Sequence, residues 1–364
     1  ALEINTLFRL ILYWKRLGLA KDRGIEVELA TNDSMVQEGF LLKVFITYEI
    51  PEAGLKKLEE KFDVSLNQED KFLSKTELLS RVFDADALVC LLSDQIGKDV
   101  IDRGKKLKVI ANFAVGYNNI DINYATAKGI MVTNTPEVLT NATADLTWSL
   151  IMAIARRIVE GDSFTRSGKF SGWKPELMLG SDIYGKTIGI IGFGRVGRAV
   201  AKRSLGFDMR VLYHNVKPVG QEMEQTCKAK YVDLATLLAE SDFVTLHVPL
   251  VSSTYHLIDR NKLSLMKPTA YLINASRGLV VDEQALVKAL KEKKIAGAAL
   301  DVYENEPKLS RGLSELSNVV LAPHIGSATR QTRDRMSQMV AENVIAVLSG
   351  KNPPNLVNKE LLRK

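Results

Sequence analysis

Cysteine is nearly missing. Cys90 and Cys227 are the two in 364 residues, too few for a disulfide framework or a thiolate metal cluster. Cys90, inside the apolar run Leu88-Val-Cys-Leu-Leu92, reads as a small buried residue. Histidine is scarce too: His214, His247, His256 and His324 stand too far apart for a helical metal pair, so no metal is expected. No apolar run reaches membrane-spanning length, and no targeting peptide with a long apolar core and a small-residue cleavage site is visible. A G-x-S-x-G elbow is absent, which removes support for a serine hydrolase. There is no dense basic block interleaved with aromatics, so the net charge of +6, from 49 basic and 43 acidic residues, argues for no nucleic-acid or membrane partner and at most a mild pull on anions. Repeats and low-complexity tracts are also lacking. With 46% apolar and 25% charged residues, what remains is a globular, cytoplasmic chain long enough for two domains.

The first forty residues stand apart. Leu7 to Trp14 is apolar but broken by Arg9, and Lys15, Arg16, Lys21 and Arg23 follow. Met35 is expected to be the natural start, which makes residues 1–34 an upstream extension. Residues 1–40 are therefore set aside as an extension of unassigned role.

What is present is one glycine-rich turn with the right flanks. Ile188 to Ile191 is a β-branched run suited to a buried parallel strand, and Arg195 to Ser204 carries apolar residues at helical spacing. Between them Gly192, Gly194 and Gly197 fit G-x-G-x-x-G. The first allows a tight turn, the second lets backbone N–H groups approach a pyrophosphate, and the third lets helix lie close on strand. Gly194, Arg195 and Val196 are then expected at the pyrophosphate, over the positive end of the helix.

Around this turn the chain alternates strands and helices. Strands are expected at Leu42 to Tyr48, Ala87 to Leu92, Leu107 to Val115 and Gly129 to Thr133. A helix should open at Pro51, and Ser74 with Glu77 should form a capping box. A long helix over residues 141–155, capped by Asn141, carries the chain onward. Further strands at Met209 to Tyr213, Asp242 to Val248, Ala270 to Asn274, Ala296 to Val302 and Asn318 to Ala322, with helices such as Asp282 to Lys293, complete a second sheet. The helix over 329–348 allows a return to the first. The expected class is α/β, with two doubly wound parallel-sheet domains: a substrate domain of residues 41–141 plus 325–364 and a dinucleotide-binding domain of residues 142–324 inserted into it.

An acid about twenty residues past the first glycine would bind a ribose 2′-hydroxyl and repel a 2′-phosphate. None stands in Leu212-Tyr-His-Asn-Val-Lys-Pro218. Asn215, Val216 and Lys217 occupy that place, and Lys217, with His214, could accommodate a phosphate. This favours NADP(H) over NAD(H), although Asn215 can also hydrogen-bond a hydroxyl. Three later residues fall where strands of such a sheet end: Arg277 in Asn274-Ala-Ser-Arg-Gly278, Glu306 in Asp301-Val-Tyr-Glu-Asn-Glu-Pro307, and His324 in Leu321-Ala-Pro-His-Ile-Gly326. Singly, each could be a surface residue.

Together with Phe113-Ala-Val-Gly-Tyr-Asn-Asn-Ile-Asp121, Thr133-Asn-Thr-Pro136 and Pro323-His-Ile-Gly-Ser327, they resemble the D-isomer-specific 2-hydroxyacid dehydrogenases over about Lys43 to Asn358. Asn141-Ala-Thr-Ala-Asp145, Phe164-Thr-Arg-Ser-Gly168 and Leu356-Val-Asn-Lys-Glu360 are most similar to glyoxylate/hydroxypyruvate reductases of archaeal type. The resemblance implies a Rossmann domain set into a flavodoxin-like one, a homodimer, and a small 2-keto or 2-hydroxy acid as substrate. It makes Arg277 the carboxylate anchor, His324 the proton donor to the ketone oxygen, and Glu306 the partner that orients the imidazole and favours its charged form. Leu92, Ser93, Val115 and Gly116 should line the substrate cleft. Asp301, Ala275, Ser276, Thr143 and Gly326, with Arg277 and His324, should surround the nicotinamide. Leu177, in Trp173-Lys-Pro-Glu-Leu177, departs from an aromatic often found in such reductases, which suits a somewhat larger side chain on the substrate. D-3-phosphoglycerate dehydrogenase and a dinucleotide-sensing protein of corepressor type remain alternatives. Formate dehydrogenase is disfavoured, because it is expected to carry Gln in place of Glu306.

Overall fold

The computed structural model describes residues 41–362. The expectations for residues 1–40, including a start at Met35, lie outside the described residues. The first part of the chain runs β1 (Lys43–Ile46), α1 (Glu52–Glu59), β2 (Asp63–Leu66), α2 (Lys75–Val82), β3 (Ala87–Cys90), α3 (Lys98–Arg103), β4 (Val109–Asn112), α4 (Ile122–Ala127) and β5 (Met131–Thr133). Its strands form one parallel sheet in the order β2-β1-β3-β4-β5, the flavodoxin-like order. Then come α5 (Thr140–Ala155) and α6 (Ile158–Arg166).

The second part runs β6 (Thr187–Ile191), α7 (Arg195–Ser204), β7 (Arg210–His214), α8 (Gln221–Cys227), β8 (Ala229–Tyr231), α9 (Leu234–Glu240) and β9 (Phe243–Leu246). It continues through α10 (Arg260–Leu265), β10 (Tyr271–Asn274), α11 (Glu283–Lys291), β11 (Gly297–Leu300) and β12 (Val319–Leu321) to a last helix, α12 (Arg330–Leu348). The order β12-β11-β10-β9-β6-β7-β8, all parallel, is that of a Rossmann sheet with one added strand.

The second sheet is buried on both faces, which is why its strands read as apolar runs. Ile188, Ile190, Phe243 and Ile273 face α5 and α7 in one core cluster. Ile191, Val244, Leu246 and Leu272 face α9 to α11 in another. In α5, Trp148 packs into the first cluster, stacks on Phe207 at 4.8 Å and donates Nε1–H to the Val200 carbonyl at 3.1 Å. The helix therefore belongs to the second sheet's face, and it begins one residue before the expected Asn141 cap. Leu139 precedes it without a side-chain cap, and Asn141, inside the first turn, accepts from Arg203 at 3.3 Å instead.

The last helix returns to the first sheet. An ideal Cβ on Gly54 of α1 would lie 2.1 Å from the Ser337 carbonyl oxygen, so the two helices cross at a distance that only glycine permits. Ser337 Oγ donates to the Pro51 carbonyl at 2.6 Å. Strands β2 and β8, which the hydrophobic pattern does not announce, lie at the sheet edges and are only partly buried. The Ser74–Glu77 capping box stands where expected, at the start of α2.

Candidate active site

The glycine turn leaves β6 with three different geometries. Gly192 has φ 94°, and an ideal Cβ there would lie 2.6 Å from the His247 carbonyl carbon. A Cβ on Gly197 would lie 2.2 Å from the Gly192 carbonyl oxygen, so helix and strand close up only with glycine there. Gly194, the residue before α7, has nothing within 4 Å of its Cβ position. That open side, at the positive end of a ten-residue helix, is the shape a pyrophosphate needs. Val196 packs against the core, while Arg195 reaches outward to Glu137 at 2.7 Å.

After β7, Asn215 donates Nδ2–H to the Lys217 carbonyl at 3.2 Å, closing a tight turn. Val216 is 93% exposed at its tip and Lys217 is exposed. His214 turns away from this tip, with Nδ1 at 3.0 Å from the Val232 carbonyl.

Arg277 is placed by a neighbour. Asn274, buried at the end of β10, accepts from the Ser276 N–H at 3.0 Å and hydroxyl at 2.8 Å, and donates to the Arg277 carbonyl at 3.0 Å. Beyond that turn, Arg277 Nη1 donates to the Ser276 carbonyl at 2.7 Å, and Nη2 lies 1.8 Å from where a Gly116 Cβ would be. The guanidinium thus meets the loop after β4. Burial lowers its pKa, countered by the charge of Glu306, and an arginine stays charged under such a shift. Ala275 is half-buried beside it.

Glu306 is held at both oxygens, accepting from the Tyr303 N–H at 2.9 Å and facing His324 Nδ1 at 2.9 Å. Burial would raise its pKa, but the hydrogen bond and charge of His324, the Tyr303 N–H and Arg277 outweigh it, so the carboxyl is held below its ordinary range. His324 adopts φ 55°, a left-handed conformation uncommon outside glycine. Asp301 holds the turn that follows, accepting from the Ile325 N–H at 2.7 Å and the Gly326 N–H at 2.8 Å, and Thr143 Oγ1 donates to the Gly326 carbonyl at 3.1 Å. Arg277, Glu306 and His324 therefore converge, with Nε2 of the imidazole left free of the carboxylate.

On the first sheet, Leu92 and Ser93 lie in the loop after β3, and Val115 and Gly116 in the loop after β4. The carbonyls of Val115 and Gly116 are drawn back by Asn134 at 2.8 Å and Asn112 at 2.7 Å. A polar network that sequence reasoning missed ties the two loops together. Asp94 accepts from the Leu91 N–H at 2.8 Å and the Thr47 hydroxyl at 2.5 Å. Asn119 donates to the carbonyls of Leu91 at 2.9 Å and Asp94 at 3.1 Å. Burial raises the pKa of Asp94, against those two hydrogen bonds. A cluster of polar residues around a strand end was the only available signal.

The two sheets meet across this cleft through Asn118 Nδ2, which donates to the Leu250 carbonyl at 2.7 Å. A glycine turn at the head of a helix, with a carboxylate-paired imidazole and an arginine on later loops of the same sheet, is the set of features a nicotinamide-dependent dehydrogenase of hydroxy or keto acids uses. The comparisons with known proteins agree. Residues 148–326 match the model of the D-isomer specific 2-hydroxyacid dehydrogenase NAD-binding domain. A glyoxylate reductase of Thermococcus gammatolerans is 54% identical over 325 residues, 88% of this chain and 97% of that one. A solved NADPH-dependent glyoxylate/hydroxypyruvate reductase from Sinorhizobium meliloti, in complex with NADP and malonate, is 31% identical with a TM-score of 0.78, covering 89% of this chain and 98% of that one. A glyoxylate reductase from Paecilomyes thermophila superposes with the same TM-score at 31% identity, covering 88% and 99%. The chain belongs to the D-isomer-specific 2-hydroxyacid dehydrogenases, NAD(P)-dependent oxidoreductases of 2-hydroxy and 2-keto acids. Among the described residues, no helix is long and apolar enough to cross a membrane.

Proposed function

We propose that the chain reduces glyoxylate and hydroxypyruvate to glycolate and D-glycerate, with Arg277, Glu306 and His324 as its catalytic residues. The observation that carries this is the convergence of the Glu306–His324 pair with Arg277 at the Val115–Gly116 loop. A nicotinamide dinucleotide, when bound, would supply a hydride to the keto carbon. Arg277 holds the planar carboxylate with its fork of donors, while the N–H groups of Val115 and Gly116, which have no acceptor among the described residues, complete the anion's coordination. Leu92 and Ser93 line the far side. His324 Nε2 donates the proton to the ketone oxygen and recovers it in the oxidative direction, and ionised Glu306 fixes the ring through Nδ1. The glycine turn fits a pyrophosphate, and Thr143, Gly326, Ala275 and Ser276 fit the nicotinamide end. Asp301 is less free than expected, since both its oxygens already accept backbone N–H groups; a carboxylate has lone pairs left for a carboxamide.

The five-stranded unit, residues 41–141 with 325–364, would carry the substrate, and residues 142–324 the dinucleotide. NADP(H) is favoured because the turn Asn215-Val-Lys217 offers an exposed lysine and no acid to a 2′-phosphate. A homodimer is proposed through α6 and the arm that follows. No residue of α6 is buried, and Ile158, Val159, Phe170, Trp173, Leu179 and Tyr184 expose apolar surface together. The two free buried thiols suit a cytoplasmic setting.

The test is cofactor oxidation with glyoxylate, hydroxypyruvate, pyruvate and phosphohydroxypyruvate, each with NADH and NADPH. Turnover of the first two, lost by about 10²-fold or more in Arg277→Ala, is expected. Tight cofactor binding without turnover of any acid overturns the reading, a preference for the phosphorylated acid reassigns the substrate, and a strong NADH preference removes the role given to Lys217.

A further inference from the structure

Three successive carbonyls in the loop after β4 are each held by a donor at the end of β4 or just past β5. Ala114 accepts from the Thr135 N–H at 2.9 Å, Val115 from Asn134 Nδ2 at 2.8 Å and Gly116 from Asn112 Nδ2 at 2.7 Å. A trans peptide is planar, and its C=O and N–H point in opposite directions. Tying these carbonyls to the strand ends therefore turns the N–H groups of Val115, Gly116 and Tyr117 the other way. None of the three has an acceptor among the described residues. They are also within reach of a ligand, since Val115 and Gly116 are half-buried and Tyr117 is 43% exposed. The Arg277 guanidinium arrives at the same loop, against Gly116. Successive backbone N–H groups beside a fixed cation make a seat for an anion.

The three donors differ in kind. Thr135 gives a backbone N–H, which every residue except proline carries, whereas Asn112 and Asn134 give side-chain amides that the sequence has to supply. Asn112 is fully buried and also bonded to Asn119 at 3.3 Å. Asn134 is half-buried, and its main chain is anchored separately. Its N–H donates to the Asn355 carbonyl at 3.3 Å, and its carbonyl accepts from Nδ2 of the buried Asn343 on α12 at 3.3 Å. The side chain of Asn134 can therefore be changed while its backbone stays tied to the end of the chain. Without it, the peptide between Val115 and Gly116 loses the bond that keeps its carbonyl away from the cleft.

We propose that Asn134 is a positioning residue for keto-acid reduction, which aims the Gly116 N–H at the substrate carboxylate by holding the Val115 carbonyl back. This rests on the proposed carboxylate seat, and the experiment separates the two. A carboxylate keeps its charge through hydride transfer, so a donor lost from it weakens the binding of substrate and transition state alike. Steady-state kinetics with glyoxylate at saturating dinucleotide are measured for the wild type, Asn134→Leu and Asn134→Gln, together with the dinucleotide Kd and the Tm of each protein. Asn134→Leu, which keeps the size and removes the donor, should raise KM about tenfold or more. Its kcat should stay within about threefold of the wild type, with dinucleotide Kd and Tm unchanged. If Asn134→Leu lowers the Tm, Asn134→Gln, which keeps a donor, decides: KM recovered to within about threefold upholds the assignment, and KM that stays high overturns it. An unchanged KM in Asn134→Leu, beside normal turnover by the wild type, overturns this assignment alone. A wild type that turns over no keto acid overturns the seat and this assignment with it.

Discussion

Arg277 reaches the cleft because Gly116 leaves room for it. The guanidinium lies where a side chain on residue 116 would begin, 1.8 Å from the ideal Cβ, while Asn274 and the Ser276 carbonyl restrain the arginine from behind. Gly116→Ala should therefore leave the fold intact, since the clashing atoms are the far end of a flexible side chain, but push the guanidinium off the seat proposed for the substrate carboxylate. A displacement of that order is expected to cost about 10²-fold in kcat/KM for the keto acid, with cofactor affinity unchanged because the glycine turn is untouched. Steady-state kinetics beside a binding titration check it; an unchanged kcat/KM would mean that Arg277 does not anchor substrate from this position. Glycine at 116 thus has a steric reason visible only in three dimensions. The motif Phe113-Ala-Val-Gly116 suggests the loop, but not that its glycine answers an arginine more than a hundred and fifty residues later in the chain.

At the scale of elements, the helix start at α2 is a local device and was legible as such. Ser74 accepts from the Glu77 N–H at 3.3 Å, and Glu77 accepts from the Ser74 N–H at 2.8 Å. The Ser74 hydroxyl and N–H, with the charge of nearby Lys71, hold the Glu77 carboxyl down to about 2 from its usual 4.5, against the opposing effect of desolvation. A folded pKa below the unfolded one means that the unfolded chain binds more protons between those values. The contribution is therefore present above about pH 4.5 and is lost as the pH falls towards about 2. Glu77→Gln should lower the Tm near neutrality, with the gap to the wild type closing on acidification; a gap that stays constant with pH would show that charge is not the cause. The same local logic failed at α5, where Asn141 has the right residue type but Leu139 marks the start. Burial of Ala144, Trp148 and Ile151 in the second sheet's core fixes the helix there, and packing outranks a cap. Edge strands β2 and β8 escaped for a related reason: half-exposed, they lack the apolar run that announced β6 and β9. The Asp94–Asn112–Asn119 network was barely legible because its members are ordinary polar residues, Asn112 at the end of β4 and the other two on separate loops, given meaning only by the sheet that brings them together.

At the scale of the whole molecule, the chain leaves the first sheet on α5 and comes back on α12, so the first sheet is completed by residues that are last in the sequence. Asn358 makes that closure. Its Oδ1 accepts from the Val132 N–H at 2.8 Å, and its Nδ2 donates to the Ile130 carbonyl at 2.9 Å and Thr126 Oγ1 at 3.0 Å. Beside it, the Val357 N–H donates to the Val132 carbonyl at 2.8 Å. Strand β5 is the edge of its sheet, so these bonds stand in for a missing neighbour strand and cover an edge that would otherwise be open to pairing with another chain. Asn358→Ala leaves the buried Val132 N–H and Ile130 carbonyl unpaired, and each such group costs about 1–3 kcal/mol. A loss of roughly 2–4 kcal/mol is expected in denaturant unfolding. The core clusters around the second sheet draw on no residue before Ala144 and none after Ala322, so cofactor affinity at low temperature should be unchanged. A loss of stability together with a matching loss of cofactor affinity would show instead that the two sheets do not hold their ligands independently, and that the tail stabilises the dinucleotide seat through the cleft.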